Sequence, residues 1–337
     1  MESSARIFIV DAFTNEPFRG NPAGVCYVPG VSGKFPFTDI QLQNIASEMN
    51  QAETSFIVPV DSSTSSDFHL RWFTPTVEVP LCGHGTLSAA AVVFQEFDGA
   101  CGDLLSFQTL SGVLTARRIK QENKPDIIQL EMPLNPPEKI LEWADSSEAT
   151  DSTISTREKV VRALVATFRM EREAELIKEV WYNSTTKKLL VLLNETNVTR
   201  DTLEGFVADP SSMTQVDQRE LPEEERIKGV MLTVKGTGSG EGEAGQAHNF
   251  LTRYFAPWVG INEDAVTGSA HTVLAPFWRS VYRENGGGSW TTMYARQCSK
   301  RGGDLHLHFD DDKPEQVYIG GSARIVLQGT MDLSAGN

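Results

Sequence analysis

Apolar and polar positions alternate in short bursts from the start of the chain. RIFIVDAF (6–13), AGVCYV (23–28), TSFIV (54–58) and FHLRWF (68–73) combine β-branched and aromatic residues with strand-like spacing. Between them TDIQLQNIASEMN (38–50) reads as a helix that ends just before Glu53. Further on, KKLLVLL (187–193), KGVMLTV (228–234), LHLHF (305–309) and ARIVLQGTM (323–331) read as strands, and REKVVRALVATF (157–168) as a helix. Strands and helices mixed in this way predict an α+β protein.

One stretch occurs twice. RWFTPTVEVPLCGHGTLSAAAVVF runs from Arg71 to Phe94, and RYFAPWVGINEDAVTGSAHTVLAPFW from Arg253 to Trp278. Each opens on Arg-aromatic-Phe and a small residue followed by proline (Pro75, Pro257). Each then crosses a short acidic connection to a Gly-containing turn, CGHG or TGSA, and enters an alanine-rich run that suits a helix. At 337 residues two domains are expected. A duplicated α/β unit with a pseudo-two-fold axis is the simplest reading, and ligands favour the cleft between such halves. The Gly-rich GTGSGEGEAGQ (236–246) reads as a loop near the second motif.

The turns carry the candidate chemistry. A helix N-terminus reached through glycine offers unpaired N–H groups and about half a positive charge. Gly83–Gly85 with Thr86, and Thr267, Gly268, Ser269 and Ala270, would together bind a carboxylate. Glu53 leads into an apolar strand, where pattern alone favours a solvated turn residue over a catalytic acid. Asp264 has the same two readings, catalytic group or first-turn acid. His84, between two glycines, lacks shielding neighbours and is the better candidate of the two histidines. His271, inside the second helix, is expected to be structural.

Composition removes several alternatives. The net charge of −15 argues against a nucleic-acid partner; ADSSEATDST (144–153) and ELPEEE (220–225) read as solvated loops. Four cysteines without paired spacing (Cys26, Cys82, Cys101, Cys298) argue against a disulfide framework or a cysteine-based metal site and fit a reducing, cytoplasmic setting. IFIV is too short for a signal sequence or membrane span, and no later run approaches one. No G-x-S-x-G elbow, HExxH or P-loop is present.

In VDAFTNEPFRGNPAGVC, SEMNQAETSF, FTPTVEVPLCGHGT, GINEDAVTGSAH and GGSARIVLQGT, in that order, the chain resembles the PhzF (phenazine biosynthesis-like) family. The resemblance implies a diaminopimelate epimerase-like fold: two similar domains, each a barrel-like mixed sheet around a central helix, here one of the alanine-rich runs. The halves would be 1–125, completed by the C-terminal strand 323–337, and 126–322. It also implies that Glu53 is the proton-shuttling acid/base and that His84, Asp264 and Ser269 share its cleft. Diaminopimelate epimerases place a cysteine at each helix-capping turn. Here Cys82 holds the first place and Thr267 the second, and a hydroxyl is too weak a base to replace a thiolate. The expected function is a cofactor-independent, metal-free isomerase that moves a proton on a small cyclic or unsaturated carboxylate, with homodimerisation expected by analogy. An amino-acid racemase or epimerase on the same scaffold, and a non-catalytic binding or adaptor protein, remain the alternatives.

Overall fold

The computed structural model describes residues 4–27, 33, 35–61, 66–96, 101–143, 155–170, 173–236, 246–286 and 288–333. The chain divides into unit 1, Met1–Met132 with Tyr318–Asn337, and unit 2, Pro133–Val317. Unit 1 contains β1 (Ser4–Ala12), β2 (Asn21–Tyr27), β3 (Thr54–Pro59), β4 (Asp67–Phe73), β5 (Glu78–Val79), β6 (Leu104–Thr109), β7 (Gly112–Ile119) and β8 (Ile127–Pro133), with helices α1 (Asp39–Met49) and α2 (Gly83–Glu96). In unit 2 lie β9 (Glu138–Glu142), β10 (Ile177–Asn183), β11 (Lys188–Leu193), β12 (Gly229–Lys235), β13 (Phe250–Ala256), β14 (Ile261–Asp264), β15 (Thr292–Gln297) and β16 (Gly303–His308). Its helices are α3 (Thr156–Ala166), α4 (Glu173–Leu176), α5 (Arg200–Gly205), α6 (Pro210–Gln215) and α7 (Gly268–Gly286). The chain returns through β17 (Gln316–Gly321) to β18 (Ala323–Asp332), which lies antiparallel on β1.

Both units follow one pairing scheme. In unit 1, β1/β2 is antiparallel, β2/β3 parallel, β3/β4 and β4/β5 antiparallel, β4/β6 parallel and β6/β7 antiparallel. In unit 2 the same sequence of directions runs through β10/β11, β11/β12, β12/β13, β13/β14, β13/β15 and β15/β16. β18 covers the outer side of β1 as β9 covers that of β10. The duplication therefore extends from the motif to the whole unit, and the expected α+β architecture of two similar halves is present.

Each alanine-rich run is a central helix. After His84 in its first turn, α2 has no acidic or basic residue before its last position; it is buried from His84 to Phe94, packing on β1, β2, β3, β7 and β18. A helix this apolar belongs in a core. In α7, Trp278 stacks on Phe250 and donates to Thr233 Oγ1 at 3.0 Å, while Phe277 packs on Trp181. Pro276 lies inside this helix and cannot donate to Thr272 O. The N–H of Asn135 takes that carbonyl instead at 2.9 Å, so the helix continues without an orphaned acceptor.

Outside the central helices, each sheet carries a second layer. α1 opens on a Thr38–Gln41 capping box and closes on Asn50 in the left-handed conformation. Its Leu42, Ile45 and Ala46 pack with Phe56 and Val58 of β3. In unit 2, α3 sets Val160, Val161, Leu164 and Val165 against Leu189 and Val191 of β11. ELPEEE is more than a solvated loop: Leu221 is buried in that core while Glu223 and Glu224 stay exposed. ADSSEATDST (144–153) and most of the Gly-rich segment 236–246 lie outside the described residues. Among the described residues, the four cysteines are buried and none is in a disulfide, and no helix is long and apolar enough to cross a membrane.

The arginine that opens each repeat has a structural task. Arg71 grips Glu78 with Nε and Nη2, both at 2.7 Å, and Arg253 grips Glu263 at 2.7 and 2.9 Å. Both glutamates sit in the short acidic connection, so each pair ties the strand before the turn to the strand that delivers it. Arg253 is the more deeply buried and also donates to the carbonyls of Leu203 (3.0 Å) and Phe206 (2.7 Å). Arg253→Met should therefore lower the unfolding free energy by about 3–5 kcal/mol, because a carboxylate and two carbonyls lose their donor. Arg71→Met, at a partly solvated pair, should cost clearly less; urea denaturation of the two variants measures the difference.

Candidate active site

Glu53 stands between α1 and β3. Its carbonyl accepts the N–H of Gly24 at 2.9 Å, so its backbone already belongs to the parallel β2/β3 ladder and cannot swing outward as a free turn would. The side chain is 12 % exposed, which sets aside the solvated-turn reading that pattern alone favoured. Next to it Thr54 and Ser55 are buried, and Ser55 Oγ donates to Gly85 O at 2.9 Å, joining the start of β3 to the first turn of α2. That approach requires glycine: a Cβ at Gly85 would lie 2.9 Å from Ser55 Oγ, 2.9 Å from Trp72 Cδ1 and 3.0 Å from Cys82 Sγ.

Cys82 occupies the cap position of α2. Its Sγ accepts the N–H of Gly85 at 3.3 Å, and its carbonyl accepts both the N–H (3.0 Å) and the hydroxyl (2.6 Å) of Thr86. The polar hydrogens of Gly85 and Thr86 are thus used within the turn, which leaves the N–H groups of Gly83 and His84 for a ligand. The imidazole of His84 lies between two acids, with Nδ1 3.5 Å from Cys82 Sγ and Nε2 3.2 Å from Glu53 Oε2. Neither Glu53 Oε2 nor His84 Nε2 is exposed, and neither has an aligned hydrogen bond among the described residues.

Glu53, Cys82 and His84 bring potential metal-ligand atoms within 4.8 Å of one another. The ring, however, turns one nitrogen to the thiol and the other to the carboxylate, and a single cation could use only one of them. The ring stands in a row with the thiol on one side and the carboxylate on the other. Burial works against the imidazolium, and the Glu53 carboxylate beside Nε2 favours it and raises the His84 pKa. Burial also pushes the Cys82 thiol up, so the sulfur stays protonated near neutrality. Of the two acids facing the ring, Glu53 is then the one that supplies negative charge.

The turn of unit 2 uses the same frame with different groups. Asp264 ends β14, and its Oδ2 accepts the hydroxyl of Thr267 at 2.5 Å. Buried Gln297 clamps the turn, donating to Asp264 O (2.8 Å) and Thr267 Oγ1 (3.2 Å) and accepting the N–H of Thr267 (2.9 Å). Thr267, Gly268 and Ala270 are buried, whereas Ser269 is exposed on the first turn of α7. His271 is enclosed in the helix: its Nδ1 lies 2.8 Å from Thr267 O, its Nε2 has no partner among the described residues, and it stacks on Phe250. Gln297 closes a strand whose interior reads MYAR, and only its polarity in a buried strand end could have flagged it.

A family model described as phenazine biosynthesis-like protein (PhzC-PhzF) matches residues 10–329. The chain belongs to the phenazine biosynthesis-like family. It is 40 % identical over 331 residues to the phenazine biosynthesis-like domain-containing protein of Bos taurus, covering 96 % of this chain and 98 % of that one. An uncharacterized isomerase of Pseudomonas aeruginosa is 34 % identical over 97 % of this chain and 98 % of its own. The solved structure of a PhzF-family protein from Enterococcus faecalis superposes with a TM-score of 0.70 at 31 % identity, covering 97 % of this chain and 99 % of that one.

The buried His271 makes this family member sensitive to acid. Burial lowers its pKa from 6.5 to about 4. The unfolded chain therefore binds a proton first as pH falls, and the stability that neutral His271 provides above pH 6.5 is lost progressively down to about pH 4. At roughly 1.4 kcal/mol per pKa unit, that contribution is about 3 kcal/mol. Replacing His271 by Phe keeps a ring against Phe250 and removes the titration. Denaturation between pH 7 and 4 should show the parent losing stability more steeply than His271→Phe.

Proposed function

We propose that the protein is an isomerase in which Glu53 moves a proton between two carbons of a small cyclic or unsaturated carboxylate, without a cofactor. The observation that carries this reading is the buried 3.2 Å contact between Glu53 Oε2 and His84 Nε2, neither of which has an aligned hydrogen bond among the described residues. A carboxylate and an imidazole held together out of water, at the open end of a helix, are arranged for general acid–base work. The naming of a relative as an isomerase supports the same reaction class.

Glu53 takes a proton from a carbon acidified by a neighbouring conjugated system. The bonding pair left behind shifts along that system, and the protonated carboxyl returns the proton to a carbon further along. Charge and atoms balance within the substrate and Glu53, and no second reactant is consumed. His84, charged beside Glu53, stabilises the carboxylate that exists before the first transfer and after the second. The N–H groups of Gly83 and His84 receive the substrate's own carboxylate. Asp264, whose carboxylate is oriented by Thr267, holds polar groups of the substrate.

A racemase with one thiol base on each face is the weaker reading. The Cys82 thiol is raised by burial, and the hydroxyl of Thr267 is committed to Asp264. On the proposed mechanism Cys82→Ala keeps most activity, although its loss from the turn can loosen His84.

Solvent-deuterium incorporation tests the assignment. Glu53→Gln preserves size but cannot exchange a proton, so exchange into a substrate carboxylic acid should fall at least about a hundredfold, with binding nearly unchanged. Asp264→Asn should weaken both binding and rate. Parent-like exchange in Glu53→Gln would refute the role of Glu53.

A further inference from the structure

The shared pairing scheme assigns strand positions of unit 1 counterparts in unit 2. Thr54 pairs with Phe73 and with Gly24, as Val230 pairs with Phe255 and with Leu189. One residue earlier, Glu53 corresponds to Gly229; Trp72 corresponds to Tyr254 and Ala23 to Lys188. The carboxylate of unit 1 thus has no side-chain equivalent in unit 2. Its place is taken by a phenol, since a Cβ on Gly229 would lie only 2.3 Å from Tyr254 Oη.

Beside that phenol lies an amine. Lys188 is 7 % exposed, and its Nζ sits 5.9 Å from the centroid of the Tyr254 ring. Among the described residues it has no carboxylate and no side-chain hydrogen bond. Lys188 shares a face of β11 with Leu190 and Leu192, and Tyr254 faces Asp264 across the β13/β14 pair, beside the turn that starts α7. A cation buried without a counter-ion destabilises the fold that holds it. Burial lowers the Lys188 pKa to about 8, and burial together with Asp264 raises that of Tyr254.

We propose that Lys188 and Tyr254 form an anion-binding site in unit 2 that takes the acid group of a small organic carboxylate. The ammonium supplies the missing charge balance and the phenol a directional hydrogen bond. The site adds to the Glu53 mechanism, on which it relies only for the chemical class of the ligand.

Benzoate is the probe, titrated by calorimetry into the parent, Lys188→Met and Tyr254→Phe. Lys188→Met should bind about tenfold to a hundredfold more weakly, the range expected for a charged hydrogen bond. Parent affinity should fall as pH rises through about 8, the pKa of the buried amine, and Lys188→Met should lose that dependence. The free Lys188→Met protein should be at least as stable as the parent, because the unpaired buried charge is gone. Unchanged affinity and pH dependence in Lys188→Met would overturn the proposal. If that variant does not fold, NMR of 13C-lysine-labelled parent decides: benzoate must shift the Lys188 signal and raise its pKa, and a signal indifferent to benzoate overturns the site. Because these readouts are equilibrium binding, they stand apart from proton exchange in Glu53→Gln. Weak binding by Lys188→Met with parent-like exchange by Glu53→Gln would keep this site and remove the Glu53 mechanism.

Discussion

A carboxylate and an imidazole pressed together out of water constrain everything around them in unit 1. Neither Glu53 Oε2 nor His84 Nε2 has an aligned hydrogen bond among the described residues, so each depends on the other's charge, 3.2 Å away, for compensation. The surrounding fold keeps them apart from bulk solvent and close to each other. The ladder bond from Gly24 holds the Glu53 backbone, Ser55 links β3 to the first turn of α2, and the missing side chain of Gly85 lets strand and helix approach. Cys82 completes the turn, serving as helix cap and as the neighbour of the far ring nitrogen. A thiol kept neutral by burial suits that place better than a nucleophilic thiolate would.

Duplication explains why the second unit looks familiar and behaves differently. The strand directions and the arginine–glutamate clasp recur, so the backbone delivers its turn to the start of the central helix in the same way. The side chains at the turn do not recur. Where unit 1 has Cys82 and Glu53, unit 2 has Thr267, bound to Asp264 and Gln297, and a glycine covered by Tyr254. One frame thus supports a buried carboxylate–imidazole pair in one copy and a rigid, hydrogen-bonded turn next to a buried amine in the other.

Much of the framework was legible in the residues. Runs of β-branched, leucine and aromatic residues located β1 to β4, β11, β12, β16 and β18, whether buried on both faces, as in β11 and β12, or largely open, as in β18. The alanine-rich runs marked both central helices. Strands such as β6 (LLSFQT) and β15 (TMYARQ) were harder, since their apolar residues are few and their places come from parallel pairing across a helix. Glu53 was the instructive site residue: local pattern favours a solvated turn, and its burial follows from a carbonyl bond to Gly24, far away in sequence. Gln297 and Lys188 had no local signature. Their roles arise from partners that only the folded sheet brings near, as with Gln297 and Thr267 or Lys188 and Tyr254.

The protonation of His84 beside Glu53 is open to direct observation. 15N NMR of histidine-labelled protein reports whether each ring nitrogen carries hydrogen. With the Glu53 carboxylate beside it, the His84 ring should have both nitrogens protonated well above pH 6.5, and Glu53→Gln should return it to a neutral ring at pH 7. A His84 that is already neutral at pH 7 in the parent, or one that titrates identically with and without the Glu53 carboxylate, would contradict this pairing.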